Sequence, residues 1–126
     1  MYYQKSGNKY HAHSTMFEGV NYHSKLEASY AAELMLRKKA KDIKDWDRQV
    51  KLDLKINGVH ITNYIIDFVI HHHDGSKEYV ECKGLEMDLW KMKWKILEAT
   101  FDTDFREHPD DKLTVVKQSS MRFGRR

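Results

Sequence analysis

Apolar and polar residues alternate strictly from Gln49 to Ile56, with Val50, Leu52, Leu54 and Ile56 on one side and Lys51, Asp53 and Lys55 on the other. That period of two marks a half-buried β-strand. Asn57-Gly58 follows at once, and both residues accept the positive φ that a tight hairpin turn needs. Two more strands are predicted over Val59–His71 and Lys77–Lys83, joined around Asp74-Gly75. Upstream, Ser24-Lys25-Leu26-Glu27 reads as a capping box. Leu26, Tyr30, Ala31 and Leu34 recur at helical spacing, predicting a helix from Lys25 to Lys41 and a linker over Asp42 to Asp45. A second helix from Met87 to Phe101 carries Trp90, Trp94, Leu97 and Phe101 along one stripe, read as core packing. Pro109-Asp110-Asp111 breaks the chain, and Leu113 to Lys117 supplies a last strand. Thr15 to His23 fits a short hairpin through Glu18-Gly19, residues 1–13 show no period and read as loosely held, and residues 118–126 form a basic tail. The order is helix, three-stranded meander, helix, strand, which predicts one α+β domain.

Bulk properties narrow the setting more than the function. The chain has 126 residues, enough for one domain with a real core. Apolar residues make up 40% and charged residues 33%, so a packed globular protein is expected, not a disordered one. No apolar run nears the roughly 20 residues of a membrane span, and Met1-Tyr2-Tyr3-Gln4-Lys5 lacks a signal-peptide pattern. A single cysteine excludes an internal disulfide and points to a reducing, cytoplasmic setting. The net charge of +3 is too small to argue for nucleic acid by itself. The basic residues are nevertheless clustered, in Arg37-Lys38-Lys39-Ala40-Lys41, in Lys91/Lys93/Lys95 and in the C-terminal arginines. For any one cluster taken alone, a solvated helix face is the favoured reading.

The chemistry lies in the second and third strands. Asp67 interrupts the apolar run Tyr64-Ile65-Ile66-Asp67-Phe68-Val69-Ile70, and Glu81 and Lys83 sit two apart in Glu78-Tyr79-Val80-Glu81-Cys82-Lys83. Charge inside an apolar strand is costly unless it is paired or binds something. Glu81 and Lys83 share a strand face. Two carboxylates, with the backbone carbonyl of Cys82 as a third oxygen, suit a hard divalent cation such as Mg²⁺ or Mn²⁺. A lysine beside it can orient water or balance charge on a phosphate, the needs of phosphodiester hydrolysis. Pairing geometry sets a condition. A strict two-residue turn at Asp74-Gly75 places Asp67 opposite Cys82, facing away from Glu81. Only an odd-length loop or a bulge near His73–Gly75 brings Asp67 opposite Glu81.

At these residues the chain resembles the PD-(D/E)XK nuclease superfamily. Ile66-Asp67 followed by Glu81-Cys82-Lys83 matches its signature, with isoleucine in place of the usual proline, and the element order matches its α-β-β-β-α-β core. The resemblance spans Ser24 to Lys117. Tyr22-His23-Ser24-Lys25-Leu26-Glu27, Trp46-Asp47-Arg48-Gln49-Val50 and Tyr64-Ile65-Ile66-Asp67-Phe68 are similar to small phage-encoded nucleases grouped near Holliday-junction resolvases. The resemblance implies an α/β fold with a mixed sheet flanked by helices. It implies Glu27 as a further acidic residue, a candidate metal ligand carried on the first helix, and Gln49 as a polar residue beside the site. It also implies a metal-dependent DNA endonuclease, working as a homodimer on branched DNA. A nuclease with little structural preference, acting on single- and double-stranded DNA, is the alternative. A catalytically idle nucleic-acid-binding module is a third reading, against which the intact acidic set with its lysine argues.

Each residue also has a purely structural reading. Glu27 completes a capping box, Glu81 and Lys83 can form a surface ion pair, and Lys91, Lys93 and Lys95 can be a solvated face as readily as DNA contacts. His71, His72 and His73 look like metal ligands, but adjacent strand residues alternate faces, so a polar strand end is expected instead. Cys82, without an activating partner nearby in sequence, reads as a small buried apolar residue.

Overall fold

In the computed structural model the described residues are 15–17, 19–22, 24–84 and 87–117. The expected loose N-terminal stretch and basic tail, with Glu18 and His23 of the first hairpin, lie outside them. Strands β1 (Thr15–Phe17) and β2 (Val20–Tyr22) pair as the predicted small hairpin. Helix α1 (Lys25–Lys39) leads to β3 (Asp45–Ile56), β4 (Val59–His71) and β5 (Lys77–Cys82); helix α2 (Asp88–Thr100) then crosses to β6 (Lys112–Val116). The four long strands form one mixed sheet in the order β3-β4-β5-β6, antiparallel except for the parallel pair β5–β6. A parallel pair needs a crossover connection, and α2 provides it. The fold is therefore α+β, with two helices against a mixed sheet. Among the described residues no helix is long and apolar enough to cross a membrane.

Three boundaries differ from expectation, each for a local reason. Helix α1 stops at Lys39, not Lys41, because Lys41 adopts φ 65° and closes a Schellman-type turn: its N–H reaches Lys38 O and the Asp42 N–H reaches Arg37 O. Without a glycine, that stop leaves little trace in sequence. Strand β3 begins at Asp45, four residues before the strict alternation does. Helix α2 runs on into a π-helical turn, Phe101–Phe105, closed by the Arg106 N–H onto Phe101 O.

Two hydrophobic cores form. Tyr22, Leu26, Tyr30, Leu34, Phe68, Ile70 and Val80 join α1 to the sheet, while Leu52, Leu54, Tyr64, Ile66, Trp94, Leu97 and Phe101 join α2 to it. The predicted stripe of α2 is thus core, with Trp90 packed against its edge. In β4 the even-numbered side chains serve the α2 core through Tyr64 and Ile66, then the α1 core from Phe68 on. β3 changes allegiance at the matching point, Trp46 packing with the α1 core and Val50, Leu52 and Leu54 with the α2 core. Regular strands keep even positions on one face. The switch therefore falls at Gln49 and Asp67, between the cores, and Gln49 takes the left-handed φ of 56° there.

Candidate active site

The β4–β5 hairpin meets the register condition. His71 pairs with Lys77, Ile70 with Glu78, Val69 with Tyr79 and Phe68 with Val80. Continued by one step, that register sets Asp67 opposite Glu81. The loop is odd: His72 and Ser76 are joined by the His72 N–H to Ser76 O, leaving His73, Asp74 and Gly75 between them. Gly75 N–H closes a turn onto His72 O, and Gly75 has φ 94°, the glycine-favouring conformation of a three-residue hairpin loop. The Asp74 carboxylate accepts from the Ser76 N–H and hydroxyl and fixes the loop. The ladder ends at Phe68, and Asp67 Oδ2 accepts the Cys82 N–H at 2.8 Å in its place.

Four elements bring side chains to this point. Glu27 enters from the first turn of α1, where Ser24 Oγ accepts the Glu27 N–H at 3.1 Å and caps the helix. The Glu27 carboxylate is turned to the sheet instead: Oε2 accepts from Gln49 Nε2 at 3.0 Å, and the same Nε2 lies 3.5 Å from Asp67 Oδ1. Glu27 is only 2% exposed and Glu81 5%, and Lys83 Nζ sits 3.4 Å from Glu81 Oε2. The cap uses the Glu27 backbone N–H, while the Glu27 carboxylate reaches Gln49 on the sheet, so the cap does not commit the side chain.

The electrostatics are strained toward negative charge. Burial pushes the pKa of Asp67 well above the carboxylate range, and the charges of Glu81 and Glu27 push it further, against the Cys82 N–H. Burial also raises Glu81, with Lys83 and the Tyr64 hydroxyl pulling the other way. Burial first, and then the Asp67 charge, raise the Cys82 thiol, so it is an inert buried group as expected. Among the described residues, the buried side-chain nitrogen and oxygen atoms without a partner are Glu81 Oε1, Gln49 Oε1, Arg48 Nε and Arg48 Nη2. They sit on three residues at or beside one site.

Lys83 is held from the α2 side. Its ammonium lies 4.7 Å over the Trp90 ring, and Trp90 Nε1 donates to the Tyr64 hydroxyl at 2.7 Å. Trp90 also edges a cleft of about 340 Å³ lined by Lys91, Trp94, Lys95 and Lys117 among others. Lys91 and Lys95 thus share a face next to the site. Lys93 does not; it donates to Asn63 O on β4. The three histidines diverge as strand geometry requires, His71 to Asp47, His72 to Glu78 and His73 to Lys41 O. The sequence pattern reads Tyr64 and Trp90 as core residues and gives Arg48 no role beyond its place in the Trp46–Val50 motif; polar atoms at the ends of aromatic core residues are the available signal for the first two. Elsewhere, Asp74, His108 and Asp110 hold potential ligand atoms within 4.8 Å of one another, on the surface and apart from the buried carboxylates.

A family model described as "Protein of unknown function (DUF1064)" matches residues 7–120. No curated protein and no solved structure matches the chain.

Proposed function

Given that the chain belongs to the DUF1064 family of proteins of unknown function, we propose from the site itself that it is a divalent-cation-dependent DNA endonuclease of the PD-(D/E)XK type. One observation carries this reading: three carboxylates from α1, β4 and β5 are gathered beside a single lysine, at the point where the sheet passes from one core to the other. Such a cluster opposes its own ionisation, and folding alone gives no reason to assemble it.

The donor set fits a hard cation. Glu81 Oε1 and Gln49 Oε1 are buried acceptors with no donor, and oxygen ligands of this kind suit Mg²⁺ or Mn²⁺. Asp67, Glu81 and the Cys82 carbonyl would hold it, with Glu27 completing the negative charge. When bound, such an ion polarises a phosphoryl oxygen and lowers the pKa of a coordinated water. The remaining work belongs to the chain. Lys83, fixed between Glu81 and the Trp90 face, orients the attacking water and offsets charge growing on the phosphate. Gln49 holds Glu27 and Asp67 in one arrangement through a single amide. Lys91 and Lys95 extend positive charge from Trp90 along α2, where DNA phosphates can lie. The lone buried thiol accords with work in the cytoplasm. A homodimer acting on branched DNA is the form we carry forward, since paired cuts across a junction need two such sites.

The test is cleavage of a labelled four-way junction, linear duplex and single strands in Mg²⁺, Mn²⁺ or EDTA. Wild type is expected to cut only with a cation, with symmetric nicks at the junction. Asp67→Ala and Lys83→Ala should each lose about 10²-fold or more, the usual scale for removing a group that stabilises transition-state charge. Degradation of all three substrates alike would remove the junction preference and keep the chemistry. Metal-dependent cutting that survives Asp67→Ala would refute the site.

A further inference from the structure

Arg48 sits beside this site with two buried donor nitrogens and no acceptor for either. It precedes Gln49 on β3 and pairs across the sheet with Phe68, the neighbour of Asp67. Its guanidinium carbon lies 4.6 Å from the centroid of the Tyr22 ring, and Tyr22 is only 1% exposed. Nε and Nη2 are both buried and neither has a hydrogen-bond acceptor. These two nitrogens form one side of the planar fork, the side that engages two oxygens of a phosphate at once.

A buried guanidinium edge without an acceptor is destabilising. Among the described residues the other buried unpartnered side-chain atoms are acceptors on Gln49 and Glu81, so unmet hydrogen-bonding capacity of both signs gathers beside this site. Tyr22 packs in the core between α1 and the sheet, so its contact with the guanidinium puts the cation on the α1 side of the acidic cluster. Lys83 lies on the α2 side, against Trp90. A cation therefore stands on each flank of the carboxylates.

We propose that Arg48 is an oxyanion-binding residue of this site, its Nε and Nη2 taking the non-bridging oxygens of a phosphodiester next to the one cleaved. The proposal rests on the nuclease reading for the identity of the anion. Both nitrogens are shielded from bulk water, so the phosphate they take is one drawn into the site and not one resting on the surface.

Two measurements on the full chain, both in EDTA so that no cleavage occurs, test it. In the first, the arginine Nε–H resonances of wild type are followed by NMR during titration with inorganic phosphate and with the dinucleotide dTpdT. The Arg48 signal, identified by its loss in Arg48→Lys, is expected to shift and saturate; no shift with either probe overturns the proposal. In the second, affinity for a fluorescent duplex is measured against salt. Arg48→Ala should bind about tenfold more weakly and lower the log–log salt slope by about 1, with Arg48→Lys in between. A variant that melts earlier yet binds with wild-type affinity and slope makes Arg48 a packing residue, which also overturns it. Should Arg48→Ala not fold, the wild-type titration decides alone. A saturating shift in a protein that cuts no DNA leaves the anion site standing and removes the nuclease reading. Cation-dependent cutting with no shift at Arg48 does the reverse.

Discussion

Burial raises the pKa of both Asp67 and Asp111, yet the net shifts run in opposite directions, and the difference lies in what surrounds each carboxylate. Asp111 is 1% exposed, and its oxygens accept the N–H groups of Lys77, Glu107 and His108. Burial alone raises its pKa, but those three donors together outweigh it and hold the carboxyl below its ordinary 3.8. Asp67 has the Cys82 N–H and, at 3.5 Å, the Gln49 amide that it shares with Glu27, amid other carboxylates. Asp111 is a structural clasp between the start of β5 and the loop before β6. Its stabilisation is present above the unfolded pKa and is lost as pH falls through the lower folded value. Asp111→Ala should therefore cost about 2–4 kcal/mol at neutral pH, because three N–H groups lose a charged acceptor. The penalty should shrink toward pH 3, read by urea denaturation across pH; an unchanged penalty at acid pH would mean that the carboxylate charge is not what matters. The same contrast explains which residues were legible. Asp67 and Glu81 stood out because charge in an apolar run is anomalous by type. Asp111 lay in a Pro-Asp-Asp break and looked like an ordinary turn, and Arg48 looked like an ordinary polar strand position.

At the scale of elements, periodicity carried most of the fold. The capping box, the Asn57-Gly58 turn and the α2 stripe each use local rules that tertiary packing did not override. Gly58 at φ 80° beside Asn57 at 53° is what that dipeptide is suited to adopt. The odd β4–β5 loop was deduced from a chemical requirement, since two carboxylates must share a face, and no local signal fixes its length. What could not be read was the face switch of β3. A period of two says which residues alternate but not where the strand exchanges one core for another, and the polar Arg48 hid the continuity of Asp45–Ile56. The switch depends on a left-handed Gln49, a conformation costing a non-glycine residue roughly 1–2 kcal/mol. This predicts an inverted preference. In a regular strand glycine is less stable than alanine; at this position Gln49→Gly should be more stable than Gln49→Ala, by about 1 kcal/mol. Both remove the amide, so the comparison isolates the backbone. Equal stability, or alanine ahead, would show that the strand passes Gln49 without the left-handed turn.

For the whole molecule, the acidic cluster between the two cores makes stability depend on pH and, on the proposed reading, on a bound cation. Asp67 and Glu81 both have folded pKa values raised above their unfolded ones. In the absence of a cation the folded state retains protons that the unfolded state releases. The associated stability is fully present below the unfolded values of 3.8 and 4.5 and is lost as pH rises through the raised folded values. Metal-free protein should thus melt at lower temperature as pH is raised across that range. The quantity to measure is the difference between wild type and Asp67→Asn, which keeps an oxygen for the Cys82 N–H and removes the charge. Without a cation, Asp67→Asn is expected to gain on wild type as pH rises, because it cannot ionise in the cluster. Mg²⁺ acts in the opposite sense, since it favours the ionised carboxylates and the folded arrangement that gathers them. At a hundred times its dissociation constant it should add about 2.7 kcal/mol to wild type. The gain should grow with pH and be absent in Asp67→Asn. Calorimetry over a pH series in Mg²⁺ and in EDTA measures both slopes. If Mg²⁺ leaves the wild-type slope unchanged, no cation is completing this cluster, and the carboxylates are gathered for some other partner.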